Sequence, residues 1–267
     1  MILGMPGTGK STLLEYVTKR HPRIEHDTVT EVPILYVEIP TRCSINKLVT
    51  TMLHSMGSPL WNKGDELEKT LHLQTLLRAC KTRLVILDEV NHLVDRGKQR
   101  SHYTVGDWIK SLGTDAKVSL VLSGVTRSRE LLLTNEQLAD RFGEVMELPM
   151  LSLDGSAEST TNAALREFGK LLGVDAIDLT DRETARKIIY ATQGRLRPLR
   201  RLLVRAVDVG FLSTKPKIDL PVLAKAFEEV IYAGAPPKRN PFHDKFDGAP
   251  LTKPGEPYEQ TQQRPAP

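Results

Sequence analysis

Residues 4–11 read Gly-Met-Pro-Gly-Thr-Gly-Lys-Ser, the spacing G-x-x-x-x-G-K-[ST]. Such a segment is built to hold a polyphosphate. Gly4, Gly7 and Gly9, with Pro6 and Thr8 between them, let the backbone turn tightly enough for successive N–H groups to ring an anion. A helix opening near Ser11 adds its positive N-terminus to the same anion. Lys10 supplies a point charge for the β- and γ-phosphates, and the Ser11 hydroxyl is placed to ligate Mg²⁺. A glycine-rich turn that binds nothing is the bland alternative, and the full match in a strand–loop–helix context argues against it. The chain is expected to bind a nucleoside triphosphate.

A second constellation follows at Arg83-Leu-Val-Ile-Leu-Asp88-Glu89, an apolar run ending in two carboxylates. Nucleotide-bound Mg²⁺ needs an acidic group near the loop hydroxyl, which makes Asp88 the metal-side carboxylate. Glu89 suits orienting and polarising an attacking water. A strand running out into solvated acids is the alternative. Phosphoryl transfer also needs a cation at the developing charge, and Arg141 and Arg197 are candidates, each of which could instead be an exposed or ion-paired arginine. Ser123 and Thr126 compete as the polar group that senses the γ-phosphate. No residue type or spacing separates them.

These groups need elements to carry them. Short apolar runs at 1–3, 33–39, 83–88, 118–122 and 144–148 alternate with helical stretches at 11–20, 44–56, 66–80, 105–112 and 127–133. That alternation predicts a parallel α/β sheet over residues 1–153. Leu84-Val85-Ile86-Leu87 is continuous rather than alternating, as a strand buried on both faces should be. Only Met1, Ile2 and Leu3 precede the phosphate loop, so its strand is a stub or Met1 is not the natural start; the second is expected.

Residues 154–233 read as a small helical domain with helices at 156–172, 181–193, 197–212 and 219–232. Thr180–Glu183 fits a capping box, and Asp219 an N-cap. Arg195, Arg197, Arg200, Arg201 and Arg205 gather on one side of a helix whose other side is Leu196, Leu199, Leu202, Leu203 and Ala206. That pattern could track phosphates, but an amphipathic helix with a solvated basic face is favoured. Residues 234–267 hold eight of the seventeen prolines. They are expected to be a disordered linker or partner-binding tail, with Asn240-Pro241-Phe242 as a possible docking element.

The chain has 267 residues, 40% of them apolar and 26% charged, and a net charge of +4 from 37 basic and 33 acidic residues. This hints at nucleic acid without establishing it. Cys43 and Cys80 have no metal-ligand spacing and fit buried thiols in a reducing cytosol. With no apolar run long enough to span a bilayer, a cytoplasmic protein without membrane contact is expected.

In combination these motifs resemble an AAA+ ATPase: phosphate loop, acidic strand end, polar strand end, arginine before the last strand, then a helical lid with Gly194-Arg-Leu-Arg197. Several segments narrow the resemblance to the TniB/TnsC-like transposition ATPases, over residues 1–233. They are Val37-Glu38-Ile39-Pro40, Leu53-His-Ser-Met-Gly57-Ser-Pro59, Asp88-Glu89-Val-Asn-His92, Ser123-Gly124-Val125, and Gln137-Leu-Ala-Asp-Arg141-Phe142 before Glu147-Leu148-Pro149. The resemblance implies ATP and Mg²⁺ as ligands, with Lys10, Ser11 and Thr12 on the phosphates and metal. It implies Asp88 and Glu89 as Mg²⁺ and water carboxylates, Arg141 as a finger on a neighbour's ATP, and Arg197 as the lid sensor.

It further implies ATP-driven homo-oligomeric rings or filaments on double-stranded DNA that recruit a transposase, with hydrolysis resetting them. DNA contacts would fall in 41–71, with Arg42, Lys47 and Lys63 as the basic options. The Ser123-Gly-Val strand end departs from a strongly polar sensor, so slow, switch-like hydrolysis is expected. A secretion- or helicase-loader-type AAA+ ATPase shares nearly every motif, and a P-loop small-molecule kinase is a third reading that the four-helix extension disfavours.

Overall fold

The structure, a computed structural model, describes residues 1–41, 43–94, 99–133, 136–212 and 215–259. They divide into two compact units, Met1–Leu148 and Pro149–Pro267. The division falls before residue 153 because Leu148 still donates its N–H to Leu3 of the sheet, at 2.8 Å, whereas Leu151 donates to Gly194 in the second unit, also at 2.8 Å.

The first unit is built on a five-stranded sheet: β1 (Ile2–Leu3), β2 (Ile34–Glu38), β3 (Leu84–Asp88), β4 (Ser119–Gly124) and β5 (Met146–Glu147). The spatial order is β2-β3-β4-β1-β5 and every pairing is parallel. β1 is short but interior, with Ile2 opposite both Ser123 and Met146. Val85, Ile86 and Leu87 are at most 1% exposed, in keeping with the unbroken apolar run. Around the sheet lie α1 (Lys10–Lys19), α2 (Ile45–Met56), α3 (Glu66–Ala79), α4 (Asn91–Val94), α5 (Gln99–Asp115), α6 (Glu130–Leu133) and α7 (Glu136–Arg141).

α2 starts at a Ser44 cap that accepts from the Lys47 N–H and stops at Gly57, whose φ of 81° suits glycine. α3 opens with a capping box, Asp65 to the Glu68 N–H and the Glu68 carboxylate back to the Asp65 N–H. The sequence pattern did not show α7, α4 or the hairpin of Ile24–Glu25 with Thr30–Glu31, and α5 is longer than the expected 105–112.

The second unit holds α8 (Ala157–Lys170), α9 (Arg182–Thr192), α10 (Leu196–Gly210) and α11 (Leu220–Val230). It is not purely helical: Asp175–Ala176 pairs in parallel with Lys217–Ile218. α9 is not capped by the expected box, because Asp181 accepts the Thr184 N–H while the Thr180 hydroxyl donates to Asp178. Asp219 caps α11 through the Val222 N–H. The α10 pattern sorts as expected, with Leu199, Leu202, Leu203 and Ala206 buried and Arg197 and Arg200 exposed. Arg205 is paired with Glu229, and Arg201 donates to the Val230 carbonyl.

The expectation of a disordered tail is corrected for residues 234–259. Phe242, Leu251 and Tyr258 join the core of the second unit. Arg239, 7% exposed, sits between the carboxylates of Asp247 and Glu256, and the Tyr258 hydroxyl donates to the Ala191 carbonyl at 2.8 Å. Asn240 donates to the Ala224 carbonyl and to Glu228, so Asn240-Pro241-Phe242 docks on the chain's own α11. A few large apolar anchors and one ion-paired arginine are enough to order a chain whose prolines already restrict its unfolded state. Residues 260–267 lie outside the described residues. No described helix is long and apolar enough to cross a membrane.

Candidate functional site

The phosphate loop leaves β1 and enters α1. The Gly4 N–H reaches the Gly124 carbonyl at 3.3 Å, which ties the loop to the end of β4. A Cβ on Gly4 would lie 2.9 Å from both the Leu148 oxygen and the Thr8 hydroxyl, so only glycine fits there. Gly9 caps α1 at φ 96°, in the left-handed region that glycine adopts without strain. No acidic residue stands in the first turn of α1. No carboxylate of that turn therefore competes for the positive end of the helix. Lys10 is 5% exposed, and its Nζ donates to the Gly4 carbonyl at 2.8 Å and the Met5 carbonyl at 3.1 Å. Ser11 is half-buried and Thr12 exposed in the first turn of α1.

β3 delivers Asp88 to the same sheet edge. Asp88 is 1% exposed, and both its oxygens are engaged: Oδ2 accepts from the Tyr36 hydroxyl and Oδ1 from the Glu89 N–H, each at 2.9 Å. Burial, then the Asp88 carboxylate, push the Tyr36 phenol well above its ordinary value, so it donates at any working pH. Glu89 is half-buried at φ 58°, a left-handed conformation that costs a non-glycine residue about 1 kcal/mol and so marks a turn the surroundings enforce. After that turn the Val90 N–H donates to the Ser123 carbonyl at 2.9 Å. His92 Nδ1 lies 2.7 Å from the Ile39 carbonyl, which can only accept, so Nδ1 carries the proton.

Ser123 and Thr126, equivalent in sequence, are separated by position. Ser123 is fully buried at the end of β4, and its hydroxyl has no partner among the described residues; Thr126 is exposed in the following turn. Asn91 Oδ1 and Ser128 Oγ are buried and unpartnered as well, on the segments that follow β3 and β4. Spacing along the chain did not single out Tyr36 or Ser128, because cross-strand contact and turn packing place them.

Arg141 closes α7 and is exposed. Its Nη1 donates to the Lys110 carbonyl at 3.1 Å and to Thr114 Oγ1 at 2.7 Å on α5. A Cβ at Gly113 would come within 2.6 Å of the arginine Nη2, so that glycine makes room for the guanidinium. Arg197 is exposed in the first turn of α10 in the second unit. Of the basic options in 41–71, Lys47 is exposed on α2 and reaches the Thr41 carbonyl at 3.3 Å, and Lys63 is exposed in the turn before α3. Arg42 lies outside the described residues.

The donors suit Mg²⁺ held together with a nucleotide. Among the described residues no group of three or more His, Cys, Asp or Glu could cage a metal alone. A hydroxyl and one buried carboxylate beside a polyphosphate cradle are the hard-oxygen set with which Mg²⁺ completes its shell from phosphates and water.

Comparisons with known proteins agree with this geometry. The family model of the bacterial TniB protein matches residues 1–152. No curated protein matches the sequence significantly. Among solved structures, Cdc6p of Pyrobaculum aerophilum has a TM-score of 0.63 at 17% identity, covering 89% of this chain and 62% of that one. ORC1 of Aeropyrum pernix, solved in complex with DNA, gives 0.60 at 19% identity over 86% of this chain and 59% of its own. ORC2 of the same organism, in ADPNP–ADP complexes, gives 0.58 at 17% over 88% and 62%. This chain thus spans about three fifths of those structures. At such identities the likeness is one of fold, the AAA+ parallel sheet flanked by helices.

Proposed function

The chain belongs to the TniB family, and on that premise we propose that it is an ATP-dependent, DNA-binding regulator of transposition. The observation that carries the reading is the extent of the family match, which spans the phosphate loop and the acidic strand end together. In this reading ATP binding assembles copies of the chain on double-stranded DNA, the assembly recruits a transposase, and hydrolysis resets it. The DNA complex of the ORC1 structure supports a nucleic-acid partner for the fold, and the ADPNP–ADP complexes of ORC2 support the nucleotide.

The site supports the following roles. Backbone N–H groups of the glycine loop and the N-terminus of α1 hold the β- and γ-phosphates, and Gly4, Gly7 and Gly9 make that approach possible. Lys10 exchanges carbonyl contacts for phosphate oxygens. Ser11 and Asp88 hold Mg²⁺, which when bound offsets charge on the phosphoryl oxygens. Glu89 orients a water for in-line attack: the water oxygen bonds to the γ-phosphorus, the bond to the bridging oxygen breaks, ADP leaves with that electron pair, and the proton the water gives up passes to Glu89. Ser123 rather than Thr126 senses the γ-phosphate. Arg141 exchanges its α5 contacts for the ATP of a neighbouring subunit, and Arg197 reads nucleotide from the lid. Lys47 and Lys63, with Arg42, supply phosphate-backbone contacts that polymerisation multiplies.

The test is fluorescence anisotropy of labelled duplex DNA titrated with protein in ATP, in ADP and without nucleotide, beside Lys10→Ala. Steep binding only in ATP, lost in Lys10→Ala, is expected. Binding indifferent to nucleotide, with ATP still hydrolysed, sinks the DNA-assembly reading and turns attention to a protein client or small-molecule acceptor.

A further inference from the structure

Asp88 raises a question of placement that the phosphate loop does not answer. A carboxylate that is 1% exposed must be held by donors, since an ionised group taken out of water without them is costly. One donor, the Glu89 N–H, is simply the next peptide of the chain. The other crosses from the neighbouring strand. In the β2–β3 register Tyr36 stands opposite Ile86 and Glu38 opposite Asp88. Side chains two residues apart share a face, so Tyr36 and Asp88 are diagonal neighbours on one side of the sheet. That separation is within reach of an aromatic side chain, and the hydroxyl meets Oδ2 at 2.9 Å.

With one hydrogen bond on each oxygen, the carboxylate has a defined rotation and keeps a further lone pair on both atoms. A phenylalanine would fill the same space and leave Oδ2 without its donor.

We propose that Tyr36 is a positioning residue for Mg²⁺–ATP: its hydroxyl fixes the rotation of Asp88 so that the carboxylate meets the metal at the phosphate loop. The proposal rests on the nucleotide reading of the site. Tyr36 touches neither nucleotide nor metal in this account; it acts through Asp88. Outer-shell partners of metal-binding carboxylates typically contribute tenfold to hundredfold in metal affinity.

The experiment is an equilibrium titration of a fluorescent ATP analogue into the full chain, with EDTA and then across a Mg²⁺ series, for the parent, Tyr36→Phe, Asp88→Asn and the double variant. In Tyr36→Phe the Mg²⁺ concentration for half-maximal tightening is expected to rise about tenfold, with metal-free binding within about twofold of the parent. In the Asp88→Asn background the same change is expected to add nothing, because the two residues act as one unit. An unchanged Mg²⁺ requirement on a responsive parent overturns the proposal alone, as does an equal loss of metal-free binding, which would mark Tyr36 as packing only. A parent whose ATP binding ignores Mg²⁺ removes the metal role of Asp88, and the proposal with it; a parent that binds no ATP analogue overturns the nucleotide reading itself.

Discussion

At the scale of single residues, the candidate site rests on groups that are buried yet polar. Lys10, Asp88 and Ser123 are each at most 5% exposed. A buried hydroxyl without a partner carries a free-energy cost that a ligand oxygen would relieve, which separates Ser123 from the exposed Thr126. Ser123→Ala is therefore expected to lower steady-state ATP hydrolysis about tenfold, the worth of one hydrogen bond, while Thr126→Ala stays within about twofold. A phosphate-release assay checks both, and equal effects would remove the assignment. Lys10 and Asp88 were legible in the sequence because their meaning lies in spacing along the chain. Tyr36 was not: its partner is on another strand, fifty-two residues away in sequence, and only the register of β2 against β3 brings them together.

At the scale of elements, local rules accounted for those with strong caps and failed where tertiary contacts competed. α2 and α3 begin at Ser44 and Asp65 and lie close to the expected 44–56 and 66–80. Asp65→Ala removes an acceptor and breaks the reciprocal bond of Glu68, at an expected cost of about 1 kcal/mol. Urea unfolding of the first unit would show it as a lower midpoint at unchanged slope. α5 exceeds its expected span in spite of Gly106 and Gly113, which weaken a helix taken alone. Gly113 has a tertiary reason, since the Arg141 guanidinium occupies the space a side chain would need. β1 and β5 fall within the expected runs 1–3 and 144–148 but keep only two residues each, and pairing on both sides defines β1.

At the scale of the whole molecule, two units carry separate cores, and the prolyl tail belongs to the second. Arg239 is the clasp, bonded to Asp247, Glu256 and the carbonyls of Ala249 and Pro250. Arg239→Leu leaves the Glu256 carboxylate, 6% exposed, without its arginine partner and with the Lys253 N–H as a remaining donor, at an expected cost of about 3 kcal/mol. Hydrogen exchange should then quicken over the tail and α9–α11 and stay unchanged over β1–β5. The Arg239 hydrogen bond holds the Glu256 carboxyl below its ordinary value. A lowered value in the folded state means this stabilisation is complete above the unfolded carboxylate range and is lost as pH falls through the folded value. The parent should lose tail protection on acidification, and Arg239→Leu should show less of that dependence.

The sequence by itself determined the phosphate-loop and acidic-pair motifs, the parallel α/β class and the mainly helical character of the second unit, since these depend on spacing and periodicity along the chain. Only the tertiary structure decided the order of the tail, the separation of Ser123 from Thr126, and the hold of Tyr36 on Asp88. Each of these depends on which distant residues are brought into contact, and contact across strands or units leaves no period in the sequence.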